Sequence, residues 1–294
     1  MIEAKVIADS VSPDGVRLAT LQLRYPKFIH SELMTHRVFS RNASSSRAVP
    51  TARYLEEVRS DELRATPVAW GANRPGMIAG EELIADARAF AQLAWRDAAL
   101  AAAGAAANLL SLGLHKQVAN RVLEPFLHVN VVVSSTEWSN FFALRLDPGA
   151  QPEMRALAVA MRAALDGSTP REVPLGAWHL PYADDPTTLA LARSYLAGLP
   201  PGEAPVDALL VRVSTARCAR VSYASHGTGK RSTVEEDLAL YDKLLGSRPV
   251  HASPAEHPAT PDHRTTDGRW WNPALHGNFV GWVQHRKQLL GEST

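Results

Sequence analysis

Cysteine is almost absent from the chain: Cys218 is the only one among 294 residues. A single cysteine forms neither an internal disulfide nor a cysteine-based metal cage, so we expect a reducing compartment, the cytoplasm. Its neighbours Ala216 and Ala219 are small and apolar, which indicates a buried structural thiol.

An excess of charge is missing too, since 31 Lys and Arg residues face 30 Asp and Glu residues. A net charge of +1 provides no global field that would recruit nucleic acid or a membrane, so an anion site has to be a local cluster. The N-terminus carries Glu3 and Asp9 and does not resemble a signal peptide. The uncharged stretch 98–114 consists largely of alanine, which favours a buried helix over a membrane span.

The hydrophobic pattern predicts a fold of the α+β class, a mixed or antiparallel sheet with long helices. Proline and glycine mark residues 197–206 as the candidate linker. Predicted strands lie at 2–8, 16–23, 127–133 and 208–213. Predicted helices lie at 51–58, 81–112, 115–123, 137–146, 152–165, 234–245 and 279–290.

Two motif-like patterns fail on inspection. Residues 227–230 read Gly-Thr-Gly-Lys but lack the upstream glycine of a phosphate loop, and Arg231 follows the lysine. His251, His257 and His263 cluster near Glu256, yet prolines interrupt the segment and the spacing does not place two histidines on one helical face. We therefore predict no metal site, and a histidine-rich metallohydrolase stands only as an alternative.

The most informative segment is Thr35 to Arg47, which contains three arginines, one histidine and several hydroxyls at the end of a predicted helix. Arginine forks, hydroxyl groups and exposed backbone N–H groups bind phosphate well. A solvated basic loop has the same composition. From composition alone, both interpretations stay open.

This segment resembles the signature of the flavin-dependent thymidylate synthases, in which an Arg-His-Arg triplet is followed by seven residues, a serine and, two further on, an arginine. His36, Arg37, Ser45 and Arg47 match that signature in register. Further segments are similar to other motifs of the family. They are residues 121–125, residues 140–145, and the blocks at 219–223, 236–237 and 251–257.

The order of these motifs is unusual. In the usual layout of the family the blocks matched here by 219–223 and 251–257 precede the arginine triplet, whereas here they follow it by most of the chain. The pattern is that of a circularly permuted or rearranged chain whose two ends build one site. We therefore predict a single interwoven domain over residues 1–294, with the fold of the thymidylate synthase complementing proteins.

The resemblance implies a cofactor-dependent enzyme. The family binds FAD between the subunits of a homotetramer, reduces it with NADPH, takes a carbon from methylenetetrahydrofolate and methylates C5 of dUMP. No enzyme cysteine attacks the uracil, which agrees with a chain whose one cysteine looks structural. The implied partners are a small nucleotide and further copies of the chain, with neither nucleic acid nor membrane.

Residue roles follow from the resemblance by position. Arg145 is implied beside the uracil, where a fixed cation would stabilise negative charge as the ring becomes a nucleophile. Glu32 stands where the family has a glutamine near the pyrimidine. The phosphate positions are Ser45, Arg47 and Arg121. The flavin positions are His36, Arg37, Asn140, Ser222, Ser253 and Glu256, and His251 aligns with a histidine near the folate and flavin.

Ordinary alternatives exist for several of these residues. Arg121 would serve equally as a helix C-cap, Arg145 as a surface partner of Asp147, and Glu256 as a solvated loop carboxylate. Asn140 would equally be a plain polar residue on the surface of its helix.

Two positions depart from the family pattern. Thr35 and Thr136 replace arginines that face the flavin, and Arg41, Arg286 or a neighbouring subunit are the candidate substitutes.

Arginine is abundant, since 31 basic residues include 6 lysines and hence 25 arginines, which suggests a high-GC genome. Flavin-dependent homologues of such genomes methylate UMP in nucleoside-antibiotic pathways, so we expect UMP as well as dUMP. A non-catalytic nucleotide- or RNA-binding relative is the alternative from another class.

Overall fold

The computed structural model describes residues 1–199, 205–222 and 231–292. Its strands are β1 (Glu3–Val11), β2 (Arg17–Pro26), β3 (Ser40–Ala43), β4 (His128–Ser135), β5 (Arg171–Glu172), β6 (Ala259–Pro261) and β7 (Trp282–Gln284). Its helices are α1 (His30–Met34), α2 (Thr51–Arg59), α3 (Ala85–Ser111), α4 (Lys116–Ala119), α5 (Ser139–Arg145), α6 (Pro152–Asp166), α7 (Pro186–Ala197), α8 (Val206–Arg220) and α9 (Val234–Leu245).

A five-stranded sheet in the order β3-β4-β2-β1-β5 forms the centre of the fold. The first four strands pair antiparallel, and the short β5 adds to β1 in parallel. The β1–β2 turn contains Gly15, whose φ of 77° is a conformation that glycine adopts without strain. The predicted α+β class, with a mixed sheet, is confirmed.

One face of the sheet is apolar. Alternate residues of a strand point to opposite faces, and here the odd-numbered residues of β2 and β4 form the core. Helices α5 and α6 cover this face with large apolar side chains. The cluster includes Leu21, Leu23, Val131, Val133, Phe141, Phe142, Met154, Leu157 and Met161.

The opposite face is partly polar and is covered by the C-terminal half of the chain. A small apolar cluster joins Leu18 of β2 to Phe279 and Trp282. Beside it, Thr20 and Ser134 meet the fully buried His179 and His257. The C-terminal segments are therefore docked on this face by hydrogen bonds as well as by apolar contact.

Helix α3 forms a separate layer with α2 and the short 3-10 turn Asn120–Phe126. The small alanine side chains of α3 allow α2 and the turn to approach it closely. Ala99, Ala103 and Ala106 are buried against Leu55 and Phe126. In the part of the chain that the structure describes, no helix is long and apolar enough to cross a membrane.

Two predicted elements were wrong. The segment 208–213 is helical, within α8, and not a strand. Its apolar run is buried on several sides, a pattern that periodicity cannot assign to helix or strand. The predicted helix 279–290 is instead β7 followed by a 3-10 turn, because Gly281 at φ 69° lies against the Trp270 ring. Of the candidate linker 197–206, residues 200–204 lie outside the described residues.

Candidate functional site

The stretch 35–47, here called the signature segment, contacts the matched parts at 121–125, 140–145, 219–223 and 251–257. His36 bonds to Arg145, and Asn42 donates to Ser253 at 3.1 Å. The Ser45 N–H donates to the Ser222 carbonyl at 3.3 Å, and Ser46 donates to Glu124 at 2.8 Å. Blocks that are far apart in the sequence therefore converge on β3 and its flanking turns.

Arg41 fixes the turn at the start of the signature segment. Its Nη1 donates to the carbonyls of Leu33, Met34 and His36, at 3.3, 3.1 and 2.9 Å. Leu33 and Met34 lie at the C-terminal end of helix α1, so the arginine side chain caps that end of the helix. Burial lowers the pKa of Arg41, and the charge of Glu256 opposes that effect.

Arg145 lies at the end of α5 and is held on three sides. Its Nε donates to His36 Nε2 at 2.9 Å, Nη2 donates to Thr35 Oγ1 at 3.5 Å, and Nη1 lies 3.7 Å from Glu32 Oε2. The ion pair with Glu32 replaces the surface pair with Asp147 considered above. The Arg145 side chain remains 21% exposed, so a bound molecule can still reach it.

His36 holds the Arg145 guanidinium in place by accepting its hydrogen bond. Its ring packs edge-on against Phe141, with centroids 4.9 Å apart. Burial lowers the pKa of His36, and the charges of Arg145 and Arg41 lower it further. A neutral imidazole that accepts at Nε2 can hold Arg145 in place, whereas a protonated one would repel it.

Glu124 anchors one of the predicted phosphate residues, Arg121. Its Oε1 accepts from Arg121 at 3.0 Å, from Lys27 at 2.6 Å and from Ser46 at 2.8 Å. Burial alone would raise the pKa of Glu124, but the hydrogen bonds and charges of its partners keep it lowered. Arg121 is thus anchored by a carboxylate and 57% exposed, and the exposed Arg47 lies two residues beyond Ser45.

The block around Ser222 is anchored by a buried carboxylate. Asp237 accepts from the Nε atoms of Arg217 and Arg220, each at 2.8 Å. This pairing fixes the end of α8, where Ser222 accepts the Ser45 N–H. Tyr223 of the same motif lies outside the described residues.

The block near the C-terminus meets the signature segment through the short 3-10 turn Ser253–Glu256. Ser253 is exposed and accepts from Asn42. Glu256 forms an ion pair with Arg286, which also pairs with Glu292 at 2.7 Å. Glu256 is therefore a paired carboxylate rather than a solvated one.

Some expected residues stand apart from these contacts. His251 is exposed, and its backbone N–H donates to the Leu244 carbonyl. Across residues 1–199, 205–222 and 231–292, the side chains of Arg37, Arg47 and Asn140 make no hydrogen bond. Thr136 does not stand free in place of an arginine, since its Oγ1 accepts the Val280 N–H at 3.0 Å.

Sequence reasoning missed Asn42, Ser46 and Glu124, which hold the segments together. They carry ordinary polar side chains, and only their contacts distinguish them. In the described parts of the chain, no group of three or more His, Cys, Asp or Glu residues could hold a metal ion. Of the suspected cluster, His257 bonds to Ser134 and Asn42 instead.

Comparisons with known proteins identify the family of the chain. The family model described as "Thymidylate synthase complementing protein" matches residues 16–171, just over half of the chain. Two solved structures of a UMP/dUMP methylase, PolB from Streptomyces cacaoi, also resemble it. The one bound with 5-Br UMP has 18% identity and a TM-score of 0.45, covering 56% of this chain and 88% of that one. The one bound with 5-Br dUMP has 19% identity and a TM-score of 0.44, covering 56% and 90%.

No curated protein matches the chain significantly. The family match runs from the start of β2 to the first residue of β5 and includes the whole signature segment. It confirms the resemblance found in the sequence, together with the expected fold and an enzyme of the flavin-dependent thymidylate synthase type. The chain belongs to the thymidylate synthase complementing protein family.

Proposed function

We propose that the protein methylates C5 of a uridine monophosphate nucleotide, accepting both dUMP and UMP. FAD would be its cofactor, NADPH its reductant and methylenetetrahydrofolate its carbon donor. The observation that carries this proposal is the convergence of four motif blocks on the signature segment, in a chain of this family. We further propose that it works in the cytoplasm as a homotetramer with sites between subunits.

Arg145 is the proposed catalytic residue. Methylation at C5 needs the pyrimidine ring to become electron-rich, and negative charge then develops on its oxygens. A guanidinium already fixed by His36 and Glu32 needs little reorganisation to stabilise that charge. Its three contacts also keep its exposed edge in one orientation.

The nucleotide phosphate is proposed to bind Ser45, Arg47 and Arg121. Arg121 is held by Glu124 but remains exposed, and Arg47 makes no side-chain hydrogen bond to the rest of the described chain. Arginine forks match phosphate oxygens in geometry and charge. The site therefore offers free donors for a dianion.

The same region carries exposed hydrogen-bonding groups that could hold FAD. Arg37, Asn140 and Ser253 are exposed polar groups on the signature segment, α5 and the 253–256 turn, and they fit a polar ligand with phosphates. Ser222, Glu256 and His251 are the further proposed contacts. When bound, FAD would pass reducing equivalents from NADPH to the transferred carbon. The chain's own residues hold and orient the ligands.

The two missing arginines have no evident replacement within the described chain. The Thr35 hydroxyl bonds to Glu32 O at 2.7 Å, and Arg286 is paired with two carboxylates. Arg41 Nη1 is occupied by three carbonyls. We therefore propose that a neighbouring subunit supplies cationic contacts to the flavin.

No cysteine is proposed to attack the nucleotide. Cys218 is fully buried in α8, and burial raises the pKa of its thiol, which disfavours the nucleophilic thiolate.

Acceptance of UMP is proposed because Glu32 is a carboxylate where a glutamine is usual. A carboxylate accepts from a ribose 2′-OH, and a site that pairs this hydroxyl favours the ribonucleotide.

The absorbance spectrum of the purified protein tests the cofactor. We expect a yellow protein that bleaches with NADPH under anaerobic conditions. A protein that stays colourless and gains no flavin spectrum with added FAD would point to a non-catalytic nucleotide-binding relative. The values of kcat/KM for UMP and dUMP, measured side by side with all co-substrates, then test the substrate. Turnover of dUMP alone would contradict the broader specificity.

A further inference from the structure

A continuous chain of side-chain hydrogen bonds crosses the polar face of the sheet and ends at Ser253. From Ser10 Oγ it reaches His179 Nδ1 at 2.8 Å, and from His179 Nε2 it reaches Thr20 Oγ1 at 2.8 Å. It continues through Ser134, His257 and Asn42. The remaining links, in order, are 2.5, 2.8, 3.0 and 3.1 Å long.

The direction of this chain follows from the one amide in it. Asn42 Oδ1 accepts, so His257 Nε2 carries the hydrogen and donates. Burial lowers the pKa of His257 to about 3, so its ring is neutral and its Nδ1 must accept, here from Ser134. The Ser134 hydroxyl has only one hydrogen, so its oxygen must accept from Thr20. The Thr20 oxygen in turn accepts from His179 Nε2.

The outer end of the chain has a defined polarity as a result. Asn42 Nδ2 donates to Ser253 Oγ, so the oxygen of Ser253 is already an acceptor. Its own hydrogen is left to donate away from Asn42, and Ser253 is exposed. Reversing the Asn42 amide would reverse every link and would turn Ser253 into an acceptor toward a ligand.

We propose that His257 is a positioning residue that fixes the Asn42 amide and thereby makes Ser253 a hydrogen-bond donor to an acceptor oxygen of the bound ligand. The inference rests on the proposed function, in which Ser253 contacts FAD. The acceptor has the chemistry of a phosphate, hydroxyl or carbonyl oxygen. His179, Thr20 and Ser134 support the same orientation from behind.

The first experiment needs no cofactor. The ring nitrogens of His257 and His179 are observed by NMR in the ligand-free, ¹⁵N-labelled protein between pH 5.5 and 8. We expect both rings to be neutral, with the hydrogen on Nε2, throughout that range. A hydrogen on Nδ1 of His257 would overturn the proposal, because Asn42 would then be reversed.

The second experiment measures FAD dissociation constants for three variants. Ser253→Ala removes the donor and should weaken binding by about 3- to 10-fold. His257→Leu should cause a similar loss, because nothing then holds the amide, and His257→Gln should restore most of the affinity, since glutamine also has a donor and an acceptor. Thermal unfolding of each variant controls for folding.

Combining Ser253→Ala with His257→Leu separates positioning from general destabilisation. If His257 acts through Ser253, the double variant should bind FAD no worse than either single variant. Losses that multiply would overturn the proposal. If the wild-type protein binds no FAD, the proposed function fails, and the NMR tautomers alone decide the orientation of the chain.

Discussion

The two faces of the central sheet are built on different principles. Helices α5 and α6 cover one face with Leu157, Phe141 and similar side chains, whose contacts have no direction. The other face is covered by C-terminal segments through His179 and His257, whose hydrogen bonds require a defined distance and angle to their partners. Apolar packing thus supplies bulk stability to the fold, while the polar face selects one docked arrangement of the segment that carries Ser253.

The apolar face should give the largest effect on stability. Leu157 of α6 is fully buried there, so Leu157→Ala should lower the free energy of unfolding by about 2–5 kcal/mol. Val159 on the same helix is exposed, and Val159→Ala should change it by less than about 0.5 kcal/mol. Urea unfolding measures both. Equal effects of the two substitutions would contradict the assignment of this face as the core.

The largest effect on activity is expected at Arg145, the last residue of α5, the helix that helps to cover the apolar face. Arg145→Ala should lower kcat/KM for the nucleotide by about 10²–10³-fold, because a fixed cation is lost from the developing charge. Arg155, an exposed arginine on α6, provides the control, and Arg155→Ala should have nearly normal activity. Flavin content should stay unchanged in both. Loss of flavin from the Arg145 variant would place this residue at the cofactor instead.

Acid should destabilise the polar face. Burial lowers the pKa of His179 and of His257 to about 3, below the value of about 6.5 for an unfolded histidine. The unfolded chain therefore takes up protons that the folded chain refuses. Stability is complete above about pH 6.5 and falls as the pH decreases toward 3.

Between pH 8 and pH 5.5 these two histidines should account for about 2–3 kcal/mol of lost stability. Urea unfolding at the two pH values measures the loss. A variant with both His179→Gln and His257→Gln should lose correspondingly less on acidification. An unchanged dependence on pH would show that the two rings are not held neutral.

A smaller effect is expected at the phosphate residues. Arg47→Ala should weaken nucleotide binding by about 10-fold, since one charge-assisted contact is lost. Binding of the free nucleoside should be nearly unchanged, which makes it the internal control in titration calorimetry. Equal losses for nucleoside and nucleotide would show that Arg47 does not contact the phosphate.

The smallest effect on activity is expected at Cys218, which lies on neither face. Cys218→Ala should retain turnover per folded molecule and cost about 1 kcal/mol of stability. Cys218→Ser should be less stable, because a hydroxyl is more polar than a thiol and would be buried away from water. A folded, flavin-loaded Cys218→Ala protein without activity would restore a covalent cysteine mechanism.

The contrast between the faces also explains what could be predicted from the sequence. The apolar face leaves a periodic pattern, so the strand at 127–133 and the helix at 152–165 were predicted nearly as the structure has them. The polar face leaves none, since Ser10, Thr20 and Ser134 look like ordinary hydroxyl residues of strands. Their roles depend on partners more than 100 residues away.

The site was predicted in part for the same reason. The arginines stand in a recognisable spacing, and Arg145, Ser222 and Ser253 each form a hydrogen bond with the signature segment, while their roles toward ligands stay predictions. The supporting contacts had no signal in the sequence. Neither the cap that Arg41 forms on α1 nor the anchoring of Arg121 by Glu124 follows from spacing alone.

The way β3 gathers its neighbours has a consequence for how such a protein can change during evolution. The hydrogen bonds from Asn42 to Ser253 and from Ser46 to Glu124 join side chains. They do not depend on how the backbone connects the two residues of each pair. A gene rearrangement that moved one block to another place in the chain would preserve these bonds, provided that new loops spanned the gaps. Connectivity and chemistry are thus separable in this fold, and motif order is a poor guide to whether a distant homologue retains the site.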